Sequence, residues 1–131
     1  MTELKLEHFA LNVTDPAAVA DWYCKHLAMS IIRKGDPPVH MHFLADATGR
    51  VVLELYNNPP ELVPQYATMH PLVLHLAFAT ENIRAVHQRL VAAGASALGE
   101  ISQNPSGDYL AFLRDPWGLT LQLVQRVNSM P

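Results

Sequence analysis

The feature that most constrains this chain is that its pattern is written twice. At an offset of 67 residues, HFALNVTDPAAVADWY (8 to 23) lies over HLAFATENIRAVHQRL (75 to 90), setting His8 over His75, Ala10 over Ala77 and Val19 over Val86. In each copy a short strand carrying the histidine leads through a capping residue, Asp15 before Pro16 or Thr80 before Glu81, into an amphipathic helix. Its buried positions recur at helical spacing: Val19, Trp22, Tyr23 and Leu27 in the first copy, Ile83, Val86 and Leu90 in the second, with Gly94 as a C-terminal stop. Strand candidates joined by tight turns follow, VHMHFLA, DATG and RVVLELYN in one half, DYLAFLR, DPWG and LTLQLVQ in the other. Each half reads β-α-β-β-β. The class expected is α+β, two tandem βαβββ modules whose mixed sheet curves around a cavity, because a half-sheet with one bare face is not stable alone. The expected bounds are 4–58 and 71–127, with a linker over 59–70. That linker lies in NNPPELVPQYATMHP, which holds four of the ten prolines.

A chain of 131 residues is one domain by length, and the net charge of -3 gives no reason to expect a nucleic-acid groove or an anionic membrane as partner. No apolar run reaches the roughly 20 residues of a membrane span. The single cysteine, Cys24, forms no internal disulfide, and MTELKLEH lacks the apolar core of a secretory signal, so the cytoplasm is the expected compartment. A small-molecule ligand remains.

Strand alternation assigns the faces. Phe9, Leu11 and Val13 pack under the first helix and leave His8 with Ala10 opposite; Leu74, Leu76 and Phe78 do the same and leave His75 with Ala77. Val51, Leu53 and Leu55 leave Glu54 with Val52 and Tyr56, and Leu119, Leu121 and Leu123 leave Gln122 with Thr120 and Val124. Each half therefore offers one histidine and one carboxylate or amide to its concave side, at matched positions of the repeat. Two imidazoles, a carboxylate and an amide oxygen make a first shell for one borderline divalent metal: Zn, Ni, Co, Mn or Fe. If the DATGR hairpin is centred on Thr48, His42 lies opposite Glu54 and His40 opposite Tyr56, all facing the cavity; a half-step in register removes them. His26, His70 and His87 read as helix-surface or linker residues. Arg33 and Arg114 read as solvated charges, with an anionic substrate as the alternative.

Over about residues 5 to 126, through LEHFALNVTDP, ADWYCKHLAM, VVLELYN, LHLAF and AFLRDPWGLTLQLV, the chain resembles the vicinal oxygen chelate superfamily, also called the glyoxalase/bleomycin-resistance/dioxygenase superfamily. The resemblance places the metal ligands on His8, Glu54, His75 and Gln122. It implies a glyoxalase I-like lyase or an epimerase that chelates an enolate or enediolate of a small carbonyl substrate, with Glu54 as the base. His40, His42, Tyr56 and Asn57 or Asn58 would lie on the substrate, and the chain would form a homodimer. The alternative that the same family offers is a non-catalytic drug binder of the bleomycin-resistance type. Three positions depart from the family pattern: Gln122, where many members have Glu; Ala28, where Gly is usual; and Asp108, near where the resemblance would put a glutathione-contacting lysine. With Gln122, one carboxylate against a divalent cation leaves the site near +1, the stronger Lewis acid.

Overall fold

The computed structural model describes residues 3–130. The chain forms two compact units that divide between Pro64 and Gln65. The first contains β1 (Phe9–Asn12), α1 (Pro16–His26), β2 (Ser30–Lys34), β3 (His42–Ala45) and β4 (Val52–Tyr56); its sheet runs in the order β1-β4-β3-β2. The second contains β5 (Leu76–Ala79), α2 (Ile83–Ala92), β6 (Ser96–Gln103), β7 (Tyr109–Arg114) and β8 (Thr120–Gln125), in the order β5-β8-β7-β6. In each sheet the first strand pairs parallel with the last and the remaining pairs are antiparallel. This is the α+β, doubled βαβββ arrangement expected from the repeat. Among the described residues no helix is long and apolar enough to cross a membrane.

Local chemistry explains the elements. Asp15 accepts a hydrogen bond from the Ala18 amide at 3.1 Å and Pro16 opens α1, which lays Val19, Ala20, Trp22 and Tyr23 against β3 and β4. Leu44, Leu53 and Leu55 form the other side of that core, and full burial of each leucine contributes roughly 1.5–3 kcal/mol. In the second unit Ile83 and Leu90 of α2 are buried on the same side as Leu113, Leu121 and Leu123. The cap of α2 is Asn82, not Thr80: the Asn82 side chain accepts from the Ala85 amide at 3.2 Å, while Thr80 Oγ1 accepts from Asn82 N. Asn82 lies beneath Asp15 at the 67-residue offset, so the repeat itself carried this signal.

The helices end differently. After the caps Leu27 and Ala93, the chain turns through the left-handed region at Ala28 (φ 55) and at Gly94 (φ 111). An alanine there costs about 1 kcal/mol relative to its usual backbone, whereas glycine has no such penalty.

The first hairpin differs from the expected register by one residue. Ala45 pairs with Val52 and the Asp46 amide bonds the Val51 carbonyl, so the turn centres between Thr48 and Gly49. Asp46 Oδ1 fixes this geometry by accepting from Thr48 Oγ1 and the Val51 amide. Phe43, not His42, therefore stands opposite Glu54, and His42 faces Leu55. Since alternation has period two, this half-step moves His42 to the helix side, where it is buried and its Nδ1 donates to the His40 carbonyl at 2.8 Å. The His40 ring meets that of His42 at 4.7 Å.

Candidate functional site

In the first unit His8 immediately precedes β1, and Glu54 is the middle residue of β4, opposite Ala10 on one side and Phe43 on the other. The side chains meet: His8 Nε2 lies 3.3 Å from Glu54 Oε1, with 30% and 19% of the side chains exposed. The other imidazole nitrogen, Nδ1, donates to Glu7 Oε1 at 2.9 Å. Phe43 stands edge-on to the His8 ring, centroids 5.2 Å apart at 87°.

The second unit repeats the arrangement with altered chemistry. Gln122 sits between Ala77 of β5 and Phe112 of β7, as Glu54 sits between Ala10 and Phe43. His75 meets the Phe112 ring at 5.3 Å and 83°. Its Nδ1 bonds the Pro71 carbonyl at 2.8 Å; because a carbonyl only accepts, Nδ1 carries the proton and Nε2 keeps a free lone pair. The aromatic at this place, Phe43 or Phe112, was missed in the sequence. An offset of 69 relates the two, two more than relates the histidines, and that drift conceals the match.

The donors suit a divalent cation. Ligand atoms about 2.0–2.2 Å from one ion lie roughly 2.8–3.6 Å from each other at octahedral or tetrahedral angles, and the 3.3 Å between His8 and Glu54 falls in that range. Both histidines have Nδ1 anchored by an oxygen, the usual support for a ligating Nε2. Among the described residues no three His, Cys, Asp or Glu side chains gather as a metal site.

The remaining candidates divide. Tyr56 shares the face of Glu54 and is half-buried. Asn58 is exposed, and its backbone amide donates to Asn12 Oδ1; Asn57 Nδ2 donates to the Val13 carbonyl and ties the ends of β1 and β4 together. Asp108 accepts from the Val127 amide, Asn104 and Arg126, and these bonds hold its carboxyl below the ordinary range. It is a clasp for the chain after β8. Arg114 is not a solvated charge: its guanidinium donates to the carbonyls of Tyr66, Met69 and Gly118 and to Thr120 Oγ1. It locks the segment after Pro64 onto the DPWG turn.

Comparison with known proteins agrees with the fold. The fold matches that of a glyoxalase family protein from Bacillus cereus (TM-score 0.77, 16% identity, 98% of this chain and 99% of that one). It also matches TnmS3, an antibiotic binding protein from Streptomyces sp. CB03234 (TM-score 0.73, 21% identity, 95% and 98%). A mutant of glyoxalase I from Zea mays matches over 92% of this chain and 45% of its own length (TM-score 0.71, 24% identity). No curated protein matches the sequence. The sequence pattern of one family, described as the Glyoxalase/Bleomycin resistance protein/Dioxygenase superfamily, matches residues 5–123, and the chain belongs to that superfamily.

Proposed function

We propose that this protein is a metal-dependent, glyoxalase-like enzyme that moves a proton at the carbon next to a carbonyl in a small substrate. The observation that carries the reading is the His8–Glu54 pair at 3.3 Å, repeated in position by His75 and Gln122. His8, Glu54, His75 and Gln122 would hold one divalent ion, drawn from one chain or from two copies in a homodimer. The ion would supply Lewis acidity toward the carbonyl oxygen.

The side chains supply the rest. Glu54 is the one group of the four able to accept a proton from carbon near neutral pH, since an amide is hardly basic and a ligating imidazole has its lone pair engaged. Its carboxylate is largely shielded from water, flanked by Phe43, and faces His8, so it is oriented before the substrate arrives. Tyr56, on the face of Glu54, would contact the substrate, and His42, on the other face of the sheet, would not.

Glu54→Gln is expected to keep the fold while slowing deuterium wash-in at the α-carbon by ~100-fold or more, the usual scale for loss of a general base. The substrates for the assay are 2-oxoaldehyde thiol adducts and acyl thioesters in heavy water. Equal exchange rates in wild type and variant would remove Glu54 from the role. His75→Ala should abolish uptake of the divalent metal; a wild type that takes up no Ni, Zn, Co, Mn or Fe would instead identify a non-catalytic small-molecule binder.

A further inference from the structure

A cleft of about 550 Å³ within the first unit is lined by Glu7 and Phe43, the neighbours of the His8–Glu54 pair, and its charge is lopsided. Lys5, Arg33 and Arg50 line it, against a single carboxylate, Glu7, already committed to His8 Nδ1. Among the described residues none of the three cations forms an ion pair. Two cations elsewhere do have partners, Lys25 with Asp21 at 3.0 Å and Arg126 with Asp108 at 3.1 Å, whereas among the described residues Lys34 and Arg84 stand singly on the surface.

Register places this charge relative to Glu54. Arg33 is the partner of Phe43 across β2 and β3, and Phe43 is the partner of Glu54 across β3 and β4. The three therefore form one row across the sheet, with Arg33 two strand spacings, roughly 10 Å, from Glu54 and the phenyl ring between them. Phe43 and Val52 also line the cleft, giving it an apolar floor. Along that row a cation, an apolar ring and the His8–Glu54 pair follow one another.

We infer that this cleft is an oxyanion subsite, and that the ligand of the site is a carbonyl compound whose phosphate or carboxylate group lies on Arg33, Arg50 and Lys5, joined to the reacting carbon by an apolar spacer along Phe43. The inference rests on the reading of His8 and Glu54 as the reacting end. Planar guanidinium groups match the geometry of both anions, and three unpaired cations lining one cleft repel each other until an anion enters. Each contact is exposed to solvent, so affinity comes from their convergence and falls with salt.

The test is a titration of metal-free protein with phenyl phosphate, benzoate and neutral benzyl alcohol, followed by amide chemical shifts. Phenyl phosphate or benzoate should shift residues 32–33, 43 and 49–52. Arg33→Gln and Arg50→Gln should each weaken binding about fivefold, the upper end for one exposed charge pair, and Lys25→Gln should leave it unchanged. Raising salt to about 0.5 M should weaken it further. Tighter binding of phenyl phosphate than of benzoate assigns the anion to a phosphorylated ligand, and the reverse order to a carboxylate. Anions that bind no better than benzyl alcohol, or arginine variants that bind as well as wild type, overturn the subsite. Because no metal is present, failure here leaves metal uptake and proton exchange intact, and failure of those leaves the titration standing.

Discussion

The two units carry the same row of positions and differ in what fills them. In the first, the histidine is steadied by Glu7, a side chain 73% exposed, and faces a carboxylate. In the second, the histidine is steadied by the Pro71 backbone carbonyl and shares its face with an amide. One half is charged and adjustable, and the other is neutral and tethered to the main chain. On the proposed function, the proton-accepting carboxylate lies in the adjustable half and the neutral donors in the tethered one. The same doubled scaffold thus carries two different local chemistries.

The sharpest contrast between the units lies in their hairpin turns. A Cβ at Gly118 would stand 2.6 Å from Ala67 Cβ and 2.7 Å from Ala67 N, whereas a Cβ at Gly49 meets nothing within 4 Å. Both glycines have positive φ. Gly118→Ala should therefore cost about 3–4 kcal/mol, clash added to backbone strain, and Gly49→Ala about 1 kcal/mol. Urea denaturation measures both, and equal losses would mean that the segment at Ala67 yields rather than packs. A smaller effect is expected from making the halves alike: Gln122→Glu should tighten divalent-metal affinity by ~10-fold, as an anionic ligand replaces a neutral one. Unchanged affinity in a metal titration would separate Gln122 from the metal. The smallest concerns the helix ends, where Ala28→Gly should add about 1 kcal/mol and Gly94→Ala remove a similar amount. The same denaturation curves check this pair, and a loss on Ala28→Gly would show that the left-handed turn is not strained.

What could be read from the sequence depended on how local the deciding interaction is. Alternation set His8, Glu54, His75 and Gln122 on their faces because a side chain's side depends only on parity along its own strand. The placement of His42 failed because it depended on where a turn is centred, and Asp46 bonding to Thr48 and Val51 shifts that centre by half a residue. Arg114 was misread because its acceptors at Tyr66 and Met69 lie more than 40 residues away in sequence, where no periodicity reaches. Phe43 and Phe112 were legible in principle, had the repeat been followed through its drift from 67 to 69.

The parallel pairing of first and last strands has a consequence for how the chain is born. Phe9 pairs with Leu53 and Leu76 with Leu121, so each sheet is sealed by strands separated by more than 40 residues, while the β3–β4 and β7–β8 hairpins close from near neighbours. Long closures are the slow ones in folding. On the ribosome the first unit cannot seal until β4 has left the exit tunnel, and until then the apolar side of β1 and of α1 waits uncovered for a few seconds at typical rates of synthesis. Once sealed, it needs nothing from the later residues to complete its own hydrogen-bonded sheet. The chain can thereby pair all four strands of its first sheet before the second is made, while the bare face of that sheet still waits for a covering surface.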